Sequence, residues 1–463
     1  MTSLLIRSGA LVEADDRREV DVLIEKGNIL SIAAPTRDQS TQRSLGEGRK
    51  SDIRNGDVLD AKHLLLFPLL IDCHVHFREP GMEYKATMET EAASGLAGGV
   101  GMVCEMPNTI PPTVTIAALA DKVRRAERLT GMRMKFFFGV TEAAHLLTLK
   151  ELWTGDAYEL KRLKHHCCGV KLYLDHSTGD QKVESGIVEE VFKTCAQLQI
   201  PLVAHCEDAE VNAVEGGRCL PAGQAGKVEG DVSAHSNMRP PESEAKAIEY
   251  AIGLVRKYKT PFHIAHLSTQ QGIELVRRAK AEELPVTCEV APHHLFLTTD
   301  DYPLLGTLGK MNPPLRSAEH QSALWGGIAD RTVDCIATDH APHTLEEKRA
   351  GDPLSAPSGV PGIETMLPLL LSVASGHWPH PHLPLSPVHF PLSYSDILRL
   401  CFTNPNSIFS LHQEGMKKDA PARLMLIDPN KEWTLKGTEM HGKCAWTPFE
   451  GWEVVGNVQR IFS

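Results

Sequence analysis

This chain has no surplus of positive charge. Its 48 Lys and Arg against 59 Asp and Glu leave a formal net charge of −11, and binding nucleic-acid phosphates needs a basic surface that this balance does not promise. No apolar run is long enough to span a bilayer and no signal peptide opens the chain, so no membrane partner is expected and the simplest location is the cytoplasm. The 11 cysteines follow no regular spacing, which suits a reduced intracellular protein better than a disulfide scaffold. Cys73, Cys206, Cys288 and Cys335 fall in strand contexts fit for burial. No internal repeat is present, which sets aside solenoids and propellers.

What the sequence does have is a series of short apolar runs that end in polar or ionisable residues. Leu64 to Ile71 leads to His74 and His76, and Val100 to Cys104 leads to Met106-Pro107-Asn108. Lys135 to Val140 follows, then Val170 to Leu174 around Lys171, and Leu202 to Ala204 before His205. Phe262 to Ala265 leads to His266, Val286 to Val290 to His293 and His294, and Val333 to Ala337 to Asp339. Helical patterns lie between several of them, such as Ile248, Ala251, Ile252 and Val255 after the helix-starting Pro240 to Glu244. The alternation predicts an α/β chain whose eight parallel strands close into a TIM-type (β/α)8 barrel, with its chemistry at the carboxyl ends of the strands. The ionisable residues sit at those ends, a preference that scattered core histidines would not show.

At 463 residues and 50.8 kDa the chain exceeds the usual barrel and leaves material for a smaller module. Leu4 to Ile32 alternates in short strands about a Lys26-Gly27-Asn28 turn, and Arg423 to Ile427 with Val454 to Ile461 resume that style. The N- and C-terminal segments are therefore expected to form a small β-sandwich domain, dividing the chain at 1–65, 66–415 and 416–463. Pro35 to Asp57 is polar and apolar-poor and reads as a flexible excursion from it.

His74 and His76 are separated by one residue, so along an extended backbone they project from the same face and can grip one cation together. Two histidines sharing the exposed face of an edge strand would give the same spacing. Lys171 interrupts the run Cys168 to Leu174, where an unpaired ammonium would be costly to desolvate. Either a carboxylate pairs with it there, or the neutral amine takes up carbon dioxide and becomes an anionic carbamate able to bridge two cations.

As a set, these residues resemble the cyclic amidohydrolases of the amidohydrolase superfamily, within them most closely the dihydroorotase branch. The resemblance covers nearly the whole chain. It rests on His74-Val75-His76-Phe77-Arg78-Glu79-Pro80-Gly81, Met106 to Thr109, Gly169 to Tyr173, Val203 to His205, His263 to His266, Pro285 to Phe296, Met311 to Arg316 and Ala337 to His343. It implies two Zn2+ ions per subunit: His74, His76 and Asp339 hold one, His205 and His266 the other, and Lys171, as N6-carboxylysine, bridges them. Zinc favours such imidazole and oxygen donors and keeps an open position for water in catalytic sites. The implied reaction closes N-carbamoyl-L-aspartate into L-dihydroorotate and reopens it, with Asp339 as the catalytic proton carrier.

The resemblance also implies a small-molecule substrate bearing a carboxylate, which hydantoins and allantoin lack. Arg78, Asn108 and His343 would face that carboxylate, with His76 also in reach of the substrate, and an Arg fork with an amide donor is the expected clamp for a planar anion. Asn312 and the backbone at Gly359 would read the ring edge. Allantoinases usually carry a serine where Arg78 stands and another residue where Asn312 stands. The other reading of Arg78 is a salt bridge with Glu79 or another carboxylate at the barrel top. The alternatives for the whole chain are another cyclic amidohydrolase, allantoinase or hydantoinase, or a non-catalytic dihydropyrimidinase-like scaffold. A homodimer is the expected assembly.

Several suggestive residues are expected to be structural. Lys164 to Cys168 looks like a metal cluster but precedes the Lys171 strand and so belongs to the opposite end of the barrel. His377, His380, His382 and His389 fall around a Pro-rich stretch, Trp378 to Pro391, that reads as an inserted surface loop. His293 and His294 suit packing or support of the ligands rather than ligation. Ser177-Thr178-Gly179 is either a mobile lid or a plain turn. Relatives usually run through one more strand beyond Phe462-Ser463, so the small sheet is expected to be short of one.

Overall fold

Aliphatic and thiol side chains dominate the eight runs, and strands buried on both faces, against helices outside and one another inside, need such continuous apolar stretches. The computed structural model describes residues 3–35, 57–176, 181–219, 232–382 and 392–463. Five strands come first: β1 (Leu4–Val12), β2 (Arg17–Glu25), β3 (Asn28–Ala33), β4 (Asp57–Asp60) and β5 (Leu65–Pro68). The barrel strands are β6 (Leu70–Val75), β7 (Val100–Glu105), β8 (Arg133–Gly139), β9 (Cys167–Tyr173), β10 (Leu202–His205), β11 (Phe262–Ile264), β12 (Val286–Val290) and β13 (Cys335–Ile336). They form one eight-stranded sheet in sequence order. The ring closes where Val75 bridges to His340, with the His76 N–H donating to the His340 carbonyl at 2.8 Å.

Ile71, Cys73, Cys104, Phe137, Cys168, Val203, Ala265, Cys335 and Ala337 fill the interior, and Phe409 and Leu411 join that cluster at its amino end. The register of β6 on β7 is irregular between Asp72 and Val75. The irregularity lets Cys73 pack in the interior and His74 and His76 still face the mouth. Helices such as Met88–Ala97 and Gln270–Ala281 cover the outside, started by Thr87 and Thr269 side chains that accept the N–H groups of Thr90 and Gly272. Such a cap contributes about 1 kcal/mol. The helix Pro241–Tyr258 buries Ile248, Ala251, Ile252 and Val255, as their spacing predicts.

The remaining strands are β14 (Leu424–Thr434) and β15 (Glu453–Phe462). The terminal segments meet in a second, seven-stranded mixed sheet of order β15-β14-β5-β1-β2-β3, with β4 also on β1. The apolar run Leu64 to Ile71 is thus divided: β5 lies between β1 and β14, and β6 begins the barrel two residues later.

The proposed excursion at 35–57 falls almost wholly outside the described residues, as do Ser177, Thr178, Gly179 and His389. The described start of the Trp378 insertion is packed, which corrects its reading as a surface loop. Trp378 stacks on Phe296, and His380 is buried against Trp452 with its Nε2 2.8 Å from Asp301 Oδ1. Distant aromatic neighbours, invisible in local composition, bury it. His165 and His166 end the helix before β9, away from the mouth.

Candidate metal centre

His74 ends up at the top of β6 and His76 just beyond it, while Asp339 follows β13 on the adjoining side of the closure. Their nitrogen and oxygen atoms all lie within 4.8 Å of one another. His74 Nδ1 is bonded to a Glu289 oxygen. A carboxylate only accepts, so Nδ1 carries the ring proton and Nε2 is bare. His76 Nδ1 lies 2.6 Å from Asn108 Oδ1, another acceptor. Both bare Nε2 atoms then face Asp339 Oδ1, at 3.4 Å from His74 and 3.0 Å from His76. Three lone pairs converge with no proton among them, an arrangement that a cation relieves. Burial holds both imidazoles below their usual pKa, which keeps them neutral.

The other expected ligands are beside this group but not within it. His266 stacks 5.2 Å from His74 and 4.8 Å from His205. His205 Nδ1 lies 3.1 Å from His266 Nε2, and its Nε2 lies 2.7 Å from Glu207. Lys171 is buried, its Nζ 5.1 Å from the centre of the Tyr173 ring, and makes no ion pair among the described residues. The carboxylate partner that one reading of Lys171 required is therefore absent there. Burial lowers its pKa to about 8, against the opposing pull of Glu289 and Asp339. Lys171 Nζ and His266 Nδ1 are buried without hydrogen-bond partners. Two orphaned nitrogens beside three converged lone pairs fit a metal group.

Asp339 and His266 have left-handed φ angles of 47° and 33°, and Arg78 of 66°. Non-glycine residues adopt such conformations at a cost of about 1–3 kcal/mol, characteristically where a side chain must be aimed.

Cys73, His263 and Glu289 also converge within 4.8 Å. Their bonds close on themselves, with His263 Nε2 and Cys73 Sγ at 3.1 and 3.4 Å from Glu289 Oε2. Glu289 also accepts the His266 N–H at 3.2 Å. This group supports the histidines instead of forming a separate cation site. Glu289 and Glu207, the latter forked by Arg239 at 2.6–3.0 Å, hold the histidines of this group, and the sequence reading missed both. The signal for Glu289 was the one used for Lys171: an ionisable residue inside a buried strand run.

A cavity opens over the group, lined by His74, His76, Tyr173, His266 and Asp339 on one side and Arg78, Asn108, Asn312, Ser358 and Gly359 around it. Arg78 is buried and, among the described residues, pairs with neither Glu79 nor another carboxylate; its Nε donates to the Pro342 carbonyl at 3.0 Å. Glu79 binds Arg125 instead, at 2.7 Å. His343 lies 3.1 Å from Arg78 Nη2. Asn312 meets His235 at 2.8 Å. Gly359 has φ 133°, and a Cβ there would come within 2.8 Å of the Ala341 carbonyl oxygen, so only glycine fits. His293 and His294 are buried outside the converged group.

The sequence profile described as the amidohydrolase family matches residues 65–458. The chain belongs to the amidohydrolase family. Within that family it is 36% identical over 426 residues to the dihydroorotase of Halobacterium salinarum, covering 88% of this chain and 90% of that protein. It is 32% identical over 456 residues to a dihydroorotase of Staphylococcus epidermidis, covering 98% and 96%. Among solved structures, the L-hydantoinase (dihydropyrimidinase) from Arthrobacter aurescens superposes with a TM-score of 0.84 at 24% identity, over 99% of this chain and 94% of that one. The dihydropyrimidinase from Brevibacillus agri also gives 0.84, at 21% identity, over 100% and 94%. At these identities the structural likeness speaks for the barrel and its small sheet, the architecture the family shares.

Proposed function

We propose that this amidohydrolase is a dihydroorotase, interconverting N-carbamoyl-L-aspartate and L-dihydroorotate in the synthesis of pyrimidines. The observation that carries the reading is a single cavity with converged His74, His76 and Asp339 lone pairs on one wall and the buried Arg78 guanidinium, with no carboxylate partner among the described residues, on the other. A cyclic amide that bears a carboxylate matches both walls. The dihydroorotases that align over nearly the whole chain support the same choice.

In this reading His74, His76 and Asp339 hold one zinc ion and His205 and His266 a second, with His205 released from its contact with His266. The buried Lys171 amine would take up carbon dioxide, its nitrogen bonding to the carbon as a proton leaves to solvent, and the resulting anionic carbamate would supply oxygen donors to the metal group. Bound there, the ions supply Lewis acidity that activates water near neutral pH and polarises an amide carbonyl. Arg78, Asn108 and His343 hold the substrate carboxylate, His76 borders it, and Asn312 and the Gly359 backbone fix the ring edge. Asp339 accepts the proton of the attacking water as its oxygen bonds to the ring carbonyl carbon. It then delivers that proton to the ring nitrogen as the C–N bond breaks. In the biosynthetic direction the same carboxylate runs the transfers in reverse. The protein would act as a cytoplasmic homodimer; among the described residues no helix is long and apolar enough to cross a membrane.

Metal analysis together with hydrolysis of dihydroorotate, hydantoin and allantoin tests the reading. The wild type is expected to hold two zinc ions and to prefer dihydroorotate, and Lys171→Ala to lose metal and activity together. Preference for allantoin or hydantoin would displace the reading, and full activity in Lys171→Ala would remove the carbamate.

A further inference from the structure

His343 is touched from both sides by cations. Lys85 Nζ lies 3.0 Å from its Nδ1, and Arg78 Nη2 lies 3.1 Å from its Nε2. The Ser358 carbonyl oxygen is also 3.1 Å from Nε2. An ammonium only donates and a carbonyl only accepts, so one proton placement satisfies both: Nδ1 bare and facing Lys85, Nε2–H facing Ser358. The Arg78 contact then sets one donor against another. Arg78, Ser358 and Gly359 line the cavity and His343 stands buried directly behind them, so the two N–H groups meet 3.1 Å apart at the edge of that wall. An oxygen of an anion placed before them would accept from both.

We propose that Lys85 is a positioning residue of the carboxylate subsite: by occupying His343 Nδ1 it keeps the ring proton on Nε2, so that His343 and Arg78 stand as paired donors to one anionic oxygen. The inference rests on the dihydroorotase reading. Lys85 is itself well held. It is buried, and Glu347 binds its Nζ at 2.9 Å. Glu347 is fixed in turn by the Thr344 N–H at 3.0 Å and by the Tyr84 hydroxyl at 3.2 Å. The His343 carbonyl accepts the Trp446 indole N–H at 2.7 Å, which holds the ring's backbone. Burial first, then Arg78 and Lys85, keeps the ring well below its usual pKa and therefore neutral. Without Lys85 the proton can move to Nδ1. Nε2 then accepts from Arg78, and the slot closes on itself.

The test compares Lys85→Met and Lys85→Arg with the wild type, all as full chains loaded with zinc. Lys85→Met is expected to raise KM for dihydroorotate by about tenfold, with kcat within about threefold and unchanged metal content, the mark of lost substrate binding. Lys85→Arg restores a donor at Nδ1 and is expected to recover KM to within about threefold of the wild type. Selective 15N labelling of histidine, with His343→Gln to assign the signal, reads the tautomer without substrate: Nε2–H in the wild type, Nδ1–H gaining population in Lys85→Met. An unchanged KM or an unchanged tautomer in Lys85→Met overturns the inference, as does a loss in kcat and metal that Lys85→Arg fails to repair. A wild type that ignores dihydroorotate removes the reading beneath it instead, and the tautomer still decides what Lys85 does.

Discussion

In the small sheet the buried side chains are Ile6, Leu11, Val20, Val22, Ile24, Ile29, Leu66, Leu424 and Leu426. The barrel mouth is buried as deeply, yet holds Asp72, His74, His76, Arg78, Glu105, Lys171, His205, Glu207, His266, Glu289 and Asp339. The first set gains by leaving water, about 1.5–3 kcal/mol for each large aliphatic side chain. The second set loses by it and must be compensated group by group: Thr338 N–H and His74 N–H on Asp72 at 3.1 and 3.2 Å, Phe77 N–H on Glu105 at 2.9 Å, Arg239 on Glu207. Where compensation is withheld, at Lys171 and His266, the gap marks the place for a ligand. Apolar burial in the small sheet and compensated polar burial at the barrel mouth thus lie in different parts of the molecule, and the expectation is that each can be perturbed alone.

Asp339→Asn should separate them most sharply. On the proposed reading it removes the proton carrier and weakens the metal group, and should lower kcat for dihydroorotate by about 10³–10⁴-fold with little loss of folding stability, read by steady-state kinetics and urea unfolding. The converse is Leu426→Ala in the small sheet, which should cost about 2–5 kcal/mol of stability and leave kcat per folded molecule unchanged. If kcat falls in step with stability there, the sheet and the site are coupled and the comparison fails.

A smaller effect comes from His235, buried beside Asn312 with Nε2 3.0 Å from the Met311 carbonyl oxygen. Burial, with Lys310 and Arg239 nearby, lowers its pKa from 6.5 to about 4. The folded state then favours the neutral ring. Its contribution is complete above about pH 6.5 and is lost as pH falls from there towards 4, by up to about 3 kcal/mol. Urea unfolding at pH 7.5, 6, 5 and 4 should show a shallower decline for His235→Gln than for the wild type. Parallel curves would locate the acid sensitivity elsewhere in the mouth.

Much of this division was legible in the residues. Strand runs ending in His74, His76, His205, His266 and Asp339 gave the barrel and the end where its ionisable side chains gather, because a charged or imidazole side chain at a strand end is a local departure from a local pattern. Glu289 carried the same kind of signal, inside Val286 to Val290, but the histidines after it drew the reading past it. The break between β5 and β6 was hidden because Leu64 to Ile71 is apolar throughout and only the pairing with Leu424 to Ile427 divides it. The burial of His380 depends on Trp452 and Asp301, both more than 70 positions away. Long-range partners of this kind leave no mark on local periodicity.

Leu65–Pro68 is gripped on one edge by the first strand of the chain and on the other by Leu424–Thr434. A nascent polypeptide still short of residue 424 therefore emerges from the ribosome with an open seam beside the segment that leads straight into the barrel, a template for pairing with a neighbouring chain. Synthesis has to run through the Leu424–Thr434 strand before that seam is zipped, so slowing translation at any point between the two strands lengthens exposure to aggregation.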